Sequence, residues 1–257
     1  MTKHVLLNNI NHQHTRVITQ FSDNFGDNIA SVMVYPTEFM ELQKKYPILF
    51  RQSPDTKKFH ATALLGLQQN ENLFLDPSTD SGWAARYIPA NIVRGPFLIG
   101  FQRQQDNPDQ QSAVVHIDLD HPRVNDQQGQ PLFLEHGGNS AYLEYISKIL
   151  NIVHQGSEVN DVMFAAFKQF DLIEPVNIEF ELDNGQKHRL TGNYTINESK
   201  LKALSADQLL QLNKAGFLPL AFAVIFSMTN IRKLIEIKNR REKAFKVQTK
   251  DSQYKTR

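Results

Sequence analysis

The chain has no cysteine among its 257 residues, a single tryptophan and no apolar run of bilayer length. Without cysteine there is no disulfide framework, thiol nucleophile or Cys-based zinc or iron–sulfur site. The fold must then rest on core packing, which a hydrophobic fraction of 40% and 17 phenylalanines can supply. The N-terminus offers only Val5 to Leu7 as an apolar run, followed by Asn and His, so it has neither the h-region nor the cleavage site of a secretory signal. A cytoplasmic location is the expectation. The longest apolar run, Ala215 to Met228, is interrupted by Pro219 and falls short of the ~20 residues that span a bilayer. It reads as a core helix, with no membrane insertion. Neither G-x-x-x-x-G-K-[ST] nor G-x-G-x-x-G occurs, so no nucleotide is implied and no cofactor is expected.

Charge is unevenly spread. Between Arg232 and Arg257 there are ten Lys or Arg against Glu236, Glu242 and Asp251, a net of +7, whereas the whole chain carries +1. The expectation is one domain over residues 1–243 and a mobile basic tail over 244–257. Such a tail could meet nucleic acid, anionic lipid or an acidic partner, or could simply complement a helix C-terminus.

Periodicity gives strands at His4 to Leu7, Ile29 to Tyr35 and Ile48 to Arg51, with a short helix from Glu38 to Lys45 that must stop before Pro47. His60 to Gln68 with Asn72 to Leu75, and Phe97 to Arg103 with Ser112 to Leu119, read as hairpins, the second closed by the polar residues 104–111. Leu143, Ile146, Ile149, Leu150 and Val153 mark a helix capped by Asn139 or Ser140 and stopping near Gly156; a second helix follows from Glu158 to Phe170. Val176 to Asp183 alternates with period two, Asn184-Gly185 suits a type I′ turn, and Gln186 to Ile196 returns. Ser205-x-x-Gln208 resembles a capping box for a helix ending near Gly216, and Leu218 to about Lys243 reads as one long helix. The fold class is α+β, with antiparallel sheet elements in the N-terminal half and helices plus one hairpin in the C-terminal half.

In this order the elements carry a spread of short signatures. Tyr46-Pro-Ile-Leu-Phe50 looks like a YP-hydrophobic-F element, and Tyr87-Ile-Pro89 through Arg94-Gly-Pro-Phe97 like a YIP…R-x-PF core. Ile117-Asp118, Leu132-Phe133 and Gly137 form an ID…LF…G block, and Ala215-Gly-Phe-Leu with Ser227 to Leu234 a closing G-x-L…S-x-x-N-x-x-x-L pattern. Together they resemble the bacterial SapC family, named for proteins encoded with surface-layer systems. The resemblance implies a context of surface-layer gene sets and of neighbouring TonB-dependent outer-membrane receptors, and no agreed reaction.

The densest segment, Trp83 to Phe101, can be architectural, with Pro89 and Pro96 fixing the backbone while its aromatics bury surface. Alternatively, Trp83 and Tyr87 wall a ligand groove in which Arg86 or Arg94 binds a carboxylate, with Asp118 as the internal acceptor that would otherwise take the arginine. His116-x-Asp118 raises an iron-site reading, with His136, His154 or His188 as third ligand, but ligand spacing is undefined and no metal is expected. Glu135-His-Gly-Gly-Asn139 resembles an esterase oxyanion loop, yet the G-x-S-x-G elbow is missing and a turn into a helix is preferred. The ligand-binding candidates are therefore Trp83, Arg86, Tyr87, Arg94 and Asp118.

The reading these features favour is a non-catalytic accessory protein that binds a protein or peptide partner of surface-layer or TonB-dependent uptake systems. The alternatives are an enzyme, in one form a non-haem iron oxygenase using His116 and Asp118, and a nucleic-acid-binding regulator acting through its basic tail, for which no helix-turn-helix pattern speaks.

Overall fold

A computed structural model describes residues 3–103 and 111–255. In chain order they form β1 (His4–Leu6), β2 (Arg16–Val17), β3 (Ser31–Val34), α1 (Phe39–Leu42), β4 (Ile48–Gln52), β5 (Phe59–Leu64), α2 (Ala90–Val93), β6 (Phe97–Arg103) and β7 (Gln111–Asp118). There follow β8 (Val124–Asn125), β9 (Gln130–Pro131), α3 (Ala141–Gln169), β10 (Ile173–Glu181), β11 (Lys187–Ile196), α4 (Glu198–Lys202), α5 (Ala206–Lys214), α6 (Leu218–Ser227) and α7 (Asn230–Lys255). Every described strand pair is antiparallel and helices make up 36% of the chain against 25% strand, which is an α+β fold. The chain divides into two compact units, Met1–Asp27 with Leu75–Glu158, and Asn28–Phe74 with Val159–Arg257.

The first unit is built on the sheet β1-β7-β6 and the small sheet β8-β2-β9. Strand alternation sends Val5, Phe97, Ile99, Val115 and Ile117 to one face, where they pack with Leu132, Leu143, Ile146 and Leu150. Helix α3 starts at Ser140, whose Oγ accepts from Leu143 N at 3.2 Å and donates to Pro131 O at 2.6 Å, so Ser140 rather than Asn139 is the cap. The helix does not stop at Gly156. An interior glycine costs about 1 kcal/mol relative to alanine, and burial of Ile149 and Leu150 before it and of Met163, Phe164 and Phe167 after it outweighs that.

In the second unit the sheet order is β10-β11-β4-β5-β3. β5 pairs with β4 and β3; the expected strand Asn72 to Leu75 is instead a turn, in which Asn72 Oδ1 accepts from Phe74 N at 2.9 Å. The β10–β11 hairpin pairs from Ile173↔Ile196 to Glu181↔Lys187, with one register shift between Val176 and Ile178. Its turn is not type I′. Gly185 N donates to Leu182 O at 2.8 Å and only Gly185, at φ 84°, is left-handed, which is a type I turn followed by a glycine bulge. Pro175 lies within β10, where an edge strand tolerates its missing N–H. Phe50, Phe59, Phe164, Phe167 and Phe217 form a chain of ring contacts at 4.9 to 6.5 Å that anchors the core.

Ser205 and Gln208 form the reciprocal capping box of α5. Beyond it the expected long helix is broken into α6 and α7, because Ser227 Oγ and Thr229 Oγ1 bond the carbonyls of Val224 and Phe226 while Asn230 turns its side chain elsewhere. Helix α7 passes the expected stop near Lys243 and runs to Lys255. The loop 104–110 and the final two residues of the tail lie outside the described residues.

Candidate functional site

The Trp83 segment belongs to the first unit and is set by a tight turn. Asp76 Oδ1 accepts from Ser78 N, Gly82 N donates to Thr79 O, and Phe21 N donates to Ser81 O at 2.8 Å. Gly82 sits at φ 76°, and a Cβ there would lie 2.1 Å from Phe21 O, so only glycine lets the turn lie on Phe21. Trp83 is thereby seated edge-on against the Phe21 ring, at 5.5 Å and 70°, and is 3% exposed.

Phe21 in turn covers Arg123. The guanidinium carbon lies 4.5 Å from the Phe21 centroid and 5.4 Å from that of Phe25, and Arg123 Nη2 donates to Asp27 Oδ2. Asp27 Oδ2 also accepts from Ser22 N at 2.9 Å. Both side chains are removed from water, so the pair must be satisfied internally to be tolerated. Beside it, His121 Nδ1 accepts from Arg123 N at 3.2 Å, which places the proton of the neutral ring on Nε2. Burial holds the His121 pKa below the usual 6.5, with the Arg123 charge adding to the effect and Asp118 and Asp27 opposing it. Burial likewise pushes the Tyr142 phenol up to about 12, partly countered by Arg123.

Of the five sequence-predicted binding residues, Trp83, Arg94 and Asp118 adjoin this cluster. Arg94 Nε donates to Asn91 Oδ1 at 2.9 Å and its Nη1 to Phe97 O at 3.1 Å, so the arginine braces the turn from α2 into β6. Asp118 is buried; its N–H donates to Pro96 O at 2.9 Å and its Oδ1 accepts from Asp120 N. Arg94 and Asp118 both act on His121 electrostatically. Tyr87 is half-buried and Arg86 is exposed. Trp83 joins the cluster through Phe21. Phe21, Asp27 and Arg123 were not singled out in the sequence, and no periodic or spacing signal links Asp27 to a residue 96 positions away.

His116 lies on β7 opposite Leu98 and Leu6, on the face that Ile117 does not share, and His4 is the strand partner of Asp118 on that same face. His136 is exposed in the turn before α3, His154 packs on Phe101 at 4.8 Å, and His188 stacks on Phe180 in the second unit. Among the described residues no three His, Asp or Glu side chains are grouped to hold a metal ion. The Glu135 to Asn139 stretch is a turn closed by Leu134 N to Gly138 O at 3.0 Å, with Gly137 and Gly138 at φ 88°.

The second unit has its own cleft of about 500 Å³, lined by Glu71, Leu73, Asn184, Lys238, Arg241 and Glu242 among others. Lys238 is held at 2.5 Å by Glu71 and at 3.6 Å by Glu242, and Arg241 donates to Asn72 O and Leu73 O. These bonds fasten α7 to the turn after β5.

The short motifs recognised in the sequence meet in pairs. Ile117 of the ID element is the strand partner of Phe97, and Asp118 bonds the backbone of Pro96. In the second unit, Ser227 and Asn230 of the closing pattern bond the backbone of Ile48, Gln43 and Tyr46 in and beside the YP-hydrophobic-F element. No curated protein and no solved structure matches the chain. The SapC family profile matches residues 7–234, a span that takes in both units and every one of these motifs, and the chain belongs to the SapC family.

Proposed function

We propose that the protein is a cytoplasmic, non-catalytic accessory protein that binds a protein or peptide partner of surface-layer or TonB-dependent outer-membrane uptake systems. The observation that carries the reading is the pairing of Arg123 with Asp27 beneath Phe21. A closed, dehydrated ion pair flanked by aromatic rings holds a shape; it does not present a poised acid, base or nucleophile. Above this scaffold the Trp83 segment offers exposed Arg86 and half-exposed Tyr87, a planar cation and an amphipathic ring suited to a peptide carboxylate and its neighbours.

The test is capture from the native host by immobilised full-length protein, with mass spectrometry of what is retained. An Arg86→Ala variant should keep the melting temperature and lose the partner. Undiminished capture by that variant would remove this surface from the reading. Elemental analysis of untagged protein checks the enzymatic alternative: near-stoichiometric iron lost in a His116→Ala Asp118→Ala variant would replace the binding role with catalysis.

A further inference from the structure

Helix α6 presents an uncovered aromatic ridge. Phe222 and Phe226, one helical turn apart, stack at 5.9 Å and 20° and are 39% and 59% exposed, while Ala221, Ala223, Val224 and Ser227 face inward. Helix α1 packs on α6, and its Met40 is 49% exposed. Within Leu218–Lys246 one eighteen-residue window reaches a mean hydropathy of 1.4, yet only 33% of that window's residues are buried. A core helix would hide most of them.

Charged residues lie beside this ridge, with Lys44 paired to Glu41 and Arg232 to Glu236, so that Lys45 and Lys233 carry the net positive excess. Asn230 Nδ2 donates to Gln43 O at 2.8 Å, tying the first turn of α7 to the turn that carries Lys44 and Lys45, both exposed. Arg232 and Lys233 lie in that same first turn of α7 and are exposed. From Arg232 onward the chain is net +7. Protruding phenylalanines bordered by Lys and Arg are the composition of an element that lies in the headgroup region with its apolar side chains dipped toward the acyl chains.

We propose that the α6 ridge, with Lys45 and Lys233, docks the protein reversibly on an anionic lipid bilayer surface. A fluid interface accommodates a ridge that stands out from the protein, and an anionic one complements its rim. This docking is independent of the partner contact assigned to Arg86 and Tyr87.

The experiment is co-sedimentation of the full chain with vesicles of phosphatidylcholine alone and with about 30% phosphatidylglycerol. Binding to the anionic vesicles, weakened by salt, is expected, and Phe222→Ser Phe226→Ser should weaken it about tenfold or more at unchanged melting temperature. A Lys45→Glu Lys233→Glu variant should do the same while keeping the aromatics. Failure to sediment with anionic vesicles, equal binding to neutral ones, or binding indifferent to the phenylalanine variant each overturns the proposal. So does a concentration-dependent dimer that the phenylalanine variant abolishes, since a second copy would then cover the ridge.

Discussion

Ile48, the first residue of β4, donates its backbone N–H to Ser227 Oγ at 2.9 Å across 179 positions of sequence, at a site closed to water. Asn230 adds bonds to Gln43 O and Tyr46 O from the next turn. Loss of either side chain strands buried backbone groups, each costing about 1–3 kcal/mol. Ser227→Ala and Asn230→Ala should therefore lower the unfolding free energy by that order, seen as a lower urea midpoint at an unchanged m-value. A neutral Asn230→Ala would mean that water replaces the bonds.

The Arg123–Asp27 pair gives a sharper expectation. Removing one partner leaves the other charged and buried, at a cost of about 3–5 kcal/mol, whereas replacing both by apolar residues of similar size is often neutral. Asp27→Leu alone should destabilise strongly, and Asp27→Leu Arg123→Met should recover most of the loss. A double-mutant cycle by chemical denaturation measures the coupling. Additive effects would show that the pair contributes nothing as a pair.

What was legible in the sequence was local. The β10–β11 alternation, the Ser205 to Gln208 box and the β6–β7 hairpin each declare themselves within a few residues, and the structure keeps them. The small sheet β8-β2-β9 was not legible, because strands of two residues have no period. The break between α6 and α7 was hidden for a different reason: the local bonds of Ser227 and Thr229 to the preceding carbonyls are joined by bonds of Ser227 and Asn230 to residues more than 175 positions away, which no local pattern announces. The same holds at the candidate site. Arg94 and Asp118 stood in short motifs and could be named, but Arg123 draws its meaning from Asp27 and Phe21, which only the fold brings to it.

Gly82 has a single admissible side chain. A methyl group there would meet the Phe21 carbonyl at 2.1 Å from a left-handed backbone, and neither backbone can yield without moving the Trp83 turn. Gly82→Ala should cost at least the ~1–3 kcal/mol of such strain and red-shift the tryptophan emission as Trp83 loses its seat. Gly185→Ala, where no atom lies within 4 Å, retains only the φ penalty and should cost less.

Acid should weaken the fold through His121 and His60, both depressed below 6.5 mainly by burial, with Arg123 and Arg51 respectively adding to the shift. In the unfolded chain each takes up its proton near 6.5, while the folded protein resists until lower pH. Their contribution is thus present above about 6.5 and is lost as pH falls toward the folded values. Melting temperature should drop between pH 7.5 and 5.5, and His121→Asn, which keeps an acceptor for Arg123 N, should flatten part of that slope. An unchanged slope would remove His121 as a contributor.

Trp83, as the only tryptophan, reports on the first unit alone, whereas far-UV circular dichroism is weighted toward the second unit, which holds α4 to α7. Its burial against Phe21 predicts blue-shifted emission in the native state that moves red on unfolding. Asp27→Leu strikes the first unit directly. If the two units open separately, the variant should lower the fluorescence midpoint in urea by more than the dichroism midpoint, and the two curves should part. Coincident curves shifted by equal amounts would instead make the whole chain one cooperative body, and would mean that the Arg123–Asp27 pair stabilises both units at once.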